Sequence, residues 1–130
     1  MMSELKRILY AEDEPDIQAV AKIALETVGN LELKICNNGE DALANAVSYA
    51  PDLLLFDVMM PGMDGPTAYK AIKELPEMEN TPAIFMTAKV QPTEVEEYKK
   101  LGAIDVIAKP FDPMTLAEQI KTIWQQHCGE

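Results

Sequence analysis

Leu53-Leu54-Leu55-Phe56-Asp57-Val58-Met59-Met60-Pro61-Gly62-Met63-Asp64-Gly65 is the stretch on which the reading of this chain turns. A short, unbroken apolar run closed by Pro and Gly is the pattern of a strand covered on both faces, and such strands belong to parallel sheets. Asp57 follows that run directly, so it stands at the carboxyl end of the strand. In open α/β sheets ligands bind and chemistry happens at that edge. Asp57 is therefore a candidate nucleophile or metal ligand, and the rest of the chain must supply its partners.

Strand-like and helix-like segments alternate outward from this stretch in both directions. Lys6–Ala11 reads as a first strand, and Leu31–Cys36 as a second. Between them Ile17, Val20, Ala21, Ala24, Leu25 and Val28 recur in steps of three and four, which predicts a helix over 14–28 with one buried face. Pro15 suits its first turn and Gly29 its end. Asn38 is placed to cap a second helix burying Ala42, Leu43, Ala46 and Val47, ended by Pro51. After the central strand, Asp64 caps a helix carrying Ala68, Ala71, Ile72 and Leu75, with Pro76 as its stop.

Pro82–Met86 is a fourth strand. A fourth helix over Pro92–Leu101 has the weakest periodicity of the five, and Gly102 closes it. Ile104–Ala108 is the fifth strand, and Asp112-Pro113 opens a last helix with Leu116, Ile120, Ile123 and Trp124 as its buried stripe. Strict alternation of this kind means a doubly wound (βα)5 architecture, a parallel sheet with helices on both faces. Right-handed crossovers leave few topologies, and the flavodoxin-like, five-stranded order 2-1-3-4-5 is the expectation. No repeat or linker interrupts the pattern, so residues 1–130 read as a single domain.

Composition narrows the function. The 48% hydrophobic and 25% charged content is that of a soluble globular protein. No apolar run approaches the roughly 20 residues needed to span a bilayer, and the start lacks a signal-peptide core, so a cytoplasmic location without membrane partners is expected. Twenty-two acidic against 11 basic residues give a net charge of −11, which repels nucleic acid. Most of that excess reads as a solvated surface, as in Glu94-Val95-Glu96-Glu97, but Glu12-Asp13-Glu14 begins where a strand ends. Cys36 and Cys128 form no metal or disulfide spacing and read as structural, with Cys128 a candidate exposed thiol. His127 stands in the tail without a partner for metal or acid–base work.

The residues after each strand form a set. The first strand delivers Glu12 and Asp13, the third Asp57, the fourth Thr87, and the fifth Lys109. In the order 2-1-3-4-5 the first and third strands are neighbours where the winding reverses, so the acids converge. Carboxylates so placed raise one another's pKa unless a cation sits among them, and Mg²⁺ favours such oxygen ligands together with a phosphate. Lys109 and Thr87 suit phosphoryl oxygens. The combination points to phosphoryl transfer with Asp57 as acceptor.

Ala11-Glu12-Asp13-Glu14-Pro15, Asp57 with Met60-Pro61-Gly62-Met63-Asp64-Gly65, Thr87-Ala88 and Lys109-Pro110-Phe111 together resemble the receiver domains of two-component response regulators. The resemblance covers essentially the whole chain and is to the stand-alone, CheY-like form. It implies that Asp57 accepts a phosphoryl group from the phosphohistidine of a sensor histidine kinase or histidine phosphotransfer protein. It further implies that Asp13 and Asp57 bind Mg²⁺ with the backbone carbonyl of Met59, and that Glu12 acts directly or through water. Lys109 bridges to the phosphoryl group, Thr87 shifts to hydrogen-bond it, and the Lys109-Pro110 bond is cis. Such a chain is a signalling phosphoacceptor rather than an enzyme. A downstream effector would dock on the fourth helix, fifth strand and fifth helix, involving Lys89, Gln91, Glu94, Tyr98 and Val106.

Two positions stand apart. Val106 occupies a place where many receivers carry an aromatic, and a β-branched valine cannot report phosphorylation by a large swing. Met59 and Lys89 should flank the entrance for attacking water, and methionine orients water poorly, which predicts slow to moderate self-dephosphorylation. The methionines Met59, Met60, Met63 and Met86 otherwise read as packing, and Trp124 as core. Among rival functions, an aspartate-nucleophile phosphatase would want a second Asp where Met59 stands. A flavodoxin-like cofactor binder would want a Ser/Thr/Gly-rich loop where the acids stand. A phosphorylation-independent interaction module on the same fold, or a receiver fragment of a larger regulator or hybrid kinase, remains the alternative.

Overall fold

A computed structural model describes residues 4–88 and 91–128, the Cys128 side chain excepted, so Lys89 lies outside the described residues. Five strands, β1 (Arg7–Ala11), β2 (Glu32–Cys36), β3 (Leu53–Asp57), β4 (Ala83–Thr87) and β5 (Asp105–Ala108), alternate with the helices. These are α1 (Pro15–Lys22), α2 (Gly39–Tyr49), α3 (Gly65–Lys73), α4 (Pro92–Leu101) and α5 (Leu116–Cys128). The strands form one sheet in the order β2-β1-β3-β4-β5, and every pairing is parallel. The expected doubly wound topology is therefore the observed one.

The period-2 alternation of the strands divides the core in two. Leu9, Leu54, Phe56, Ala83 and Phe85 face α2 and α3, where Ala42, Ala46, Ala68, Tyr69 and Ile72 meet them. Ile8, Tyr10, Leu53, Leu55, Ile84 and Met86 face α1 and α5, against Ala21, Leu25, Leu116, Ile120 and Trp124. All five residues of β3 are buried, as an apolar run between two helical layers requires. Burying each such Leu or Phe is worth about 1.5–3 kcal/mol, so the central strand is where the fold is most firmly anchored.

The first helix departs from the simple stripe. Beyond Lys22 it continues through Ile23–Val28 as a π-helical segment, in which the Gly29 amide reaches back five residues to the Ala24 carbonyl at 3.1 Å. A wide turn adds one residue to the circuit. The core-facing place that spacing assigned to Val28 passes to Gly29, whose imagined Cβ would lie 2.4 Å from the Ala117 Cβ on α5. Val28 is accordingly 42% exposed rather than buried. Val20 and Val47 are also exposed, because the alanines beside them (Ala21 in α1, Ala46 in α2) take the line of contact and leave each valine about 100° round the helix.

Other boundaries shift modestly. Leu75 is only half-buried, and a 3₁₀ turn over Pro76–Met78 follows α3. Asp112 does cap the last helix region, its carboxylate accepting from the Met114 amide at 2.9 Å, while regular α5 begins at Leu116. Asn38 and Asp64 cap α2 and α3 as expected, accepting from the amides of Asp41 and Thr67. Trp124 is core, and Cys36 is a buried free thiol pushed up to about 12 by burial and then by Asp41. Among the methionines, Met60 and Met86 pack inside, but Met59 is 76% exposed and fills no core space.

Candidate metal centre at the carboxyl edge of the sheet

Strand register assembles the site. Ala11 pairs with Phe56, so the next residues, Glu12 and Asp57, stand side by side where β1 and β3 end. On the other flank Thr87 pairs with Ala108, which brings Lys109 round the same edge. The Lys109 amide donates to the Thr87 carbonyl at 2.9 Å, and the Lys109-Pro110 bond is cis. Glu12, Asp57 and Thr87 are the buried polar or charged residues of the described chain.

Lys109 ties the acids together. Its Nζ lies 3.0 Å from Asp57 Oδ2 and 3.2 Å from Glu12 Oε1. Glu12 is held independently of that lysine: its Oε2 accepts from the Glu14 amide at 3.2 Å, and its own amide donates to the Cys36 carbonyl at 3.0 Å. Gln18, on the first turns of α1, donates to the Glu12 carbonyl and also to Asn37 Oδ1, closing the β1–α1 loop. Asp57 is held by its backbone. The Val58 amide donates to the Met86 carbonyl, and the start of α3 approaches so closely that a Cβ on Gly65 would sit 2.4 Å from the Asp57 carbonyl oxygen. That approach admits glycine alone.

Charge is unbalanced in this pocket. Glu12, Asp13 and Asp57 offer carboxylate oxygens that all lie within 4.8 Å of one another. Burial, and after it the charge of Asp57, pushes the Glu12 carboxyl above its ordinary range, against the opposing pull of the Glu14 amide and Lys109. Lys109 is raised overall: burial works against its charge, but its hydrogen bond and attraction to Asp57, with Glu12 behind them, prevail. The three carboxyl groups outnumber the one lysine by two, so a divalent cation would balance their formal charge. Hard oxygen donors at this spacing fit Mg²⁺, which binds through few carboxylates and keeps waters for a further oxygen ligand.

The structure thus brings Glu12, Asp13, Asp57 and Lys109 into contact range and sets Thr87 at the adjacent strand end. Met59 lies two residues past Asp57 with its side chain turned to solvent. Two residues that sequence reasoning passed over also matter. Gln18 could have been found as a polar residue on the half-buried side of α1. Tyr10 shares the strand face of Glu12 by the period of two, and is buried beneath it.

Away from this edge, Val106 is half-buried in β5 opposite Phe85. The aromatic neighbours there come from other elements. Tyr98 of α4 meets Phe85 edge to face at 5.4 Å, and Tyr69 of α3 meets it at 5.7 Å.

Comparison with known proteins agrees with this geometry. A family model described as the response regulator receiver domain matches residues 8–121. The protein PilH of Pseudomonas aeruginosa is 34% identical over 119 residues, 92% of this chain and 98% of that protein. The regulatory protein AtoC of Escherichia coli is 38% identical over 112 residues, 85% of this chain, but the match spans 23% of AtoC's length. Among solved structures, the chemotaxis regulator CheY4 of Vibrio cholerae superposes with a TM-score of 0.84 at 28% identity, covering 92% of this chain and 98% of that one. Sheet order, strand-end acids and the extent of these matches lead to one assignment: the chain belongs to the response regulator receiver domain family, in its CheY-like form.

Proposed function

We propose that Asp57 is the phosphoacceptor of a Mg²⁺-dependent response regulator receiver domain. The observation that carries this reading is the Lys109 ammonium shared between Asp57 and Glu12 inside a three-carboxylate pocket at the sheet edge. An Asp57 oxygen attacks the phosphorus of a phosphohistidine on a sensor kinase or phosphotransfer protein. The P–N bond breaks, and the imidazole leaves with the bonding pair as an acyl phosphate forms on Asp57. Lys109 then turns from the carboxylate to the phosphoryl oxygens, where a preorganised cation stabilises developing charge. Thr87 donates its hydroxyl to the same group. Glu12, Asp13 and Asp57, with the Met59 main-chain carbonyl, would hold Mg²⁺, which when bound would supply positive charge against the phosphoryl oxygens.

The protein turns over nothing but its own phosphoryl group, so it acts as a cytoplasmic signalling switch or relay rather than as an enzyme. Its output passes to a protein partner on α4, β5 and α5. The family membership supports this reading, as does the absence of any membrane-spanning helix among the described residues. The test is intact-mass measurement after incubating wild type and Asp57→Asn with acetyl phosphate and Mg²⁺. A phosphate adduct on wild type alone is expected. No adduct, or an equal one on the variant, defeats the proposal.

A further inference from the structure

Asp57 and Glu12 owe their places to the sheet. Asp57 is the last residue of β3, and Glu12 directly follows β1 with its amide still bonded to the Cys36 carbonyl at 3.0 Å. Asp13 has no such support. It lies on the bend between β1 and α1, beyond the last strand pairing of Ala11, and is half-exposed. Its direction is therefore set by the peptide group that joins it to Glu12. That group is planar, so whatever holds the Glu12 carbonyl also orients the Asp13 amide at its other end.

The holder is Gln18, at the end of the first turn of α1, where its own amide donates to the Glu14 carbonyl at 2.9 Å. A carbonyl can only accept, so the Gln18 group facing Glu12 is its NH₂. The second N–H of that NH₂ goes to Asn37 Oδ1 at 3.0 Å. Asn37 is itself fixed, its amide donating to Asp41 Oδ2 of α2 at 3.1 Å. Asn37 also follows Cys36, the residue that accepts the Glu12 amide. A closed circuit results: β2 holds the amide of Glu12, and Gln18, braced on the β2–α2 loop, holds its carbonyl. With the peptides on both sides of Glu12 fixed, its two backbone dihedrals are fixed as well.

We propose that Gln18 is a positioning residue for Asp13: braced by Asn37, its side-chain amide sets the Glu12–Asp13 peptide and so aims the Asp13 carboxylate at those of Glu12 and Asp57. This deepens the proposed function and rests on the reading of these three residues as Mg²⁺ ligands. Gln18 touches neither the metal position nor the phosphoryl group. Its effect reaches the site through one main-chain carbonyl.

The experiment compares Gln18→Met, Asn37→Ala and the double variant in the full chain. Methionine keeps the length of the side chain and its neutrality, and removes the donor. Mg²⁺ affinity by titration calorimetry should fall about 3- to 10-fold in Gln18→Met, the worth of one neutral hydrogen bond. It should fall by less in Asn37→Ala, and the double variant should match Gln18→Met alone, because Asn37 acts through Gln18. In metal-free protein, the NMR shifts that move in Gln18→Met should centre on the Glu12 carbonyl and the Asp13 amide. Unchanged affinity in Gln18→Met overturns the inference while leaving the Mg²⁺ site standing. Losses that multiply in the double variant, or shift changes spread along α1 instead of centred on residues 12 and 13, assign Gln18 to general packing and overturn it too. A wild-type chain that takes up no Mg²⁺ overturns both this inference and the function it deepens.

Discussion

The acid edge and the α4 flank of this molecule are built to opposite specifications. At the edge, Asp57, Glu12 and Thr87 are buried, and their positions are imposed by backbone: adjoining strand ends, the Glu12 amide on Cys36, and α3 pressed against the Asp57 carbonyl. On α4 no residue is buried, and the half-buried Tyr98 ring stands edge to face on Phe85. The proposed phosphoryl chemistry at the edge would need such a rigid frame, since reacting groups must be held to within tenths of an ångström. On the α4 flank, few buried contacts mean that a small free energy separates its arrangements.

The sharpest way to break the comparison is at its tightest point. Gly65→Ala places a methyl 2.4 Å from a main-chain oxygen that cannot yield without moving Asp57. It should cost about 3 kcal/mol, the upper range for overpacking, and reduce phosphorylation at Asp57. Denaturant unfolding and intact mass measure the two; full stability and a normal adduct would mean the frame is softer than described.

Lys109→Ala should cost about 2 kcal/mol near neutral pH, below the roughly 3–5 kcal/mol of a fully buried pair because the lysine side chain keeps 17% exposure. The pH sign follows from Glu12, whose folded-state carboxyl is raised. A raised acid binds more protons folded than unfolded, so its contribution to stability falls as pH rises from the usual carboxylate range through the raised value. Losing Lys109 removes the opposing pull and widens that window. The deficit of Lys109→Ala should therefore shrink as the pH is lowered toward the carboxylate range, and added Mg²⁺ should offset it at neutral pH. A deficit independent of pH would mean the lysine acts through packing.

Tyr98→Ala should cost about 1.5 kcal/mol, less than a fully buried aromatic, since the ring is only part-covered. Its signature is location: faster amide exchange in α4 with Mg²⁺ affinity at the acid edge unchanged. Weaker Mg²⁺ binding at the edge would show the two regions are more tightly coupled than their packing implies. With Val106 on β5, Tyr98 is the aromatic that this flank presents to Phe85.

The smallest effect on stability belongs to Met59→Asn, within about 0.5 kcal/mol for so exposed a side chain. It should nonetheless speed decay of the aspartyl phosphate, since an amide orients water and a thioether does not. Phosphate release after removal of the phosphodonor measures this. Decay that is already fast in wild type and no faster in the variant would exclude a role for this position.

Much of this was legible beforehand for reasons that are local. Buried parallel strands need continuous apolar runs, so 53–56 and 82–86 declared themselves, and Pro, Gly, Asn38 and Asp64 marked where helices begin and end. The misplacements are equally physical. Periodicity assumes 3.6 residues per turn, so it buried Val28, whereas the π segment turned Gly29 inward against Ala117. Composition rated Met59 as packing material, yet its side chain is 76% exposed while Val58 and Met60 on either side of it turn inward.

By itself, then, the sequence determined the layered fold, the strand order and the residues that line the sheet's carboxyl edge, because each depends on pattern along the chain. What only the tertiary structure decided is how those residues share one another. Lys109 divided between Asp57 and Glu12, and Gly65 held against the Asp57 carbonyl, are matters of distance between segments that local pattern does not join. Burial sets their energetics, for a carboxylate without water depends on every donor within reach, and no local pattern records which donors those are.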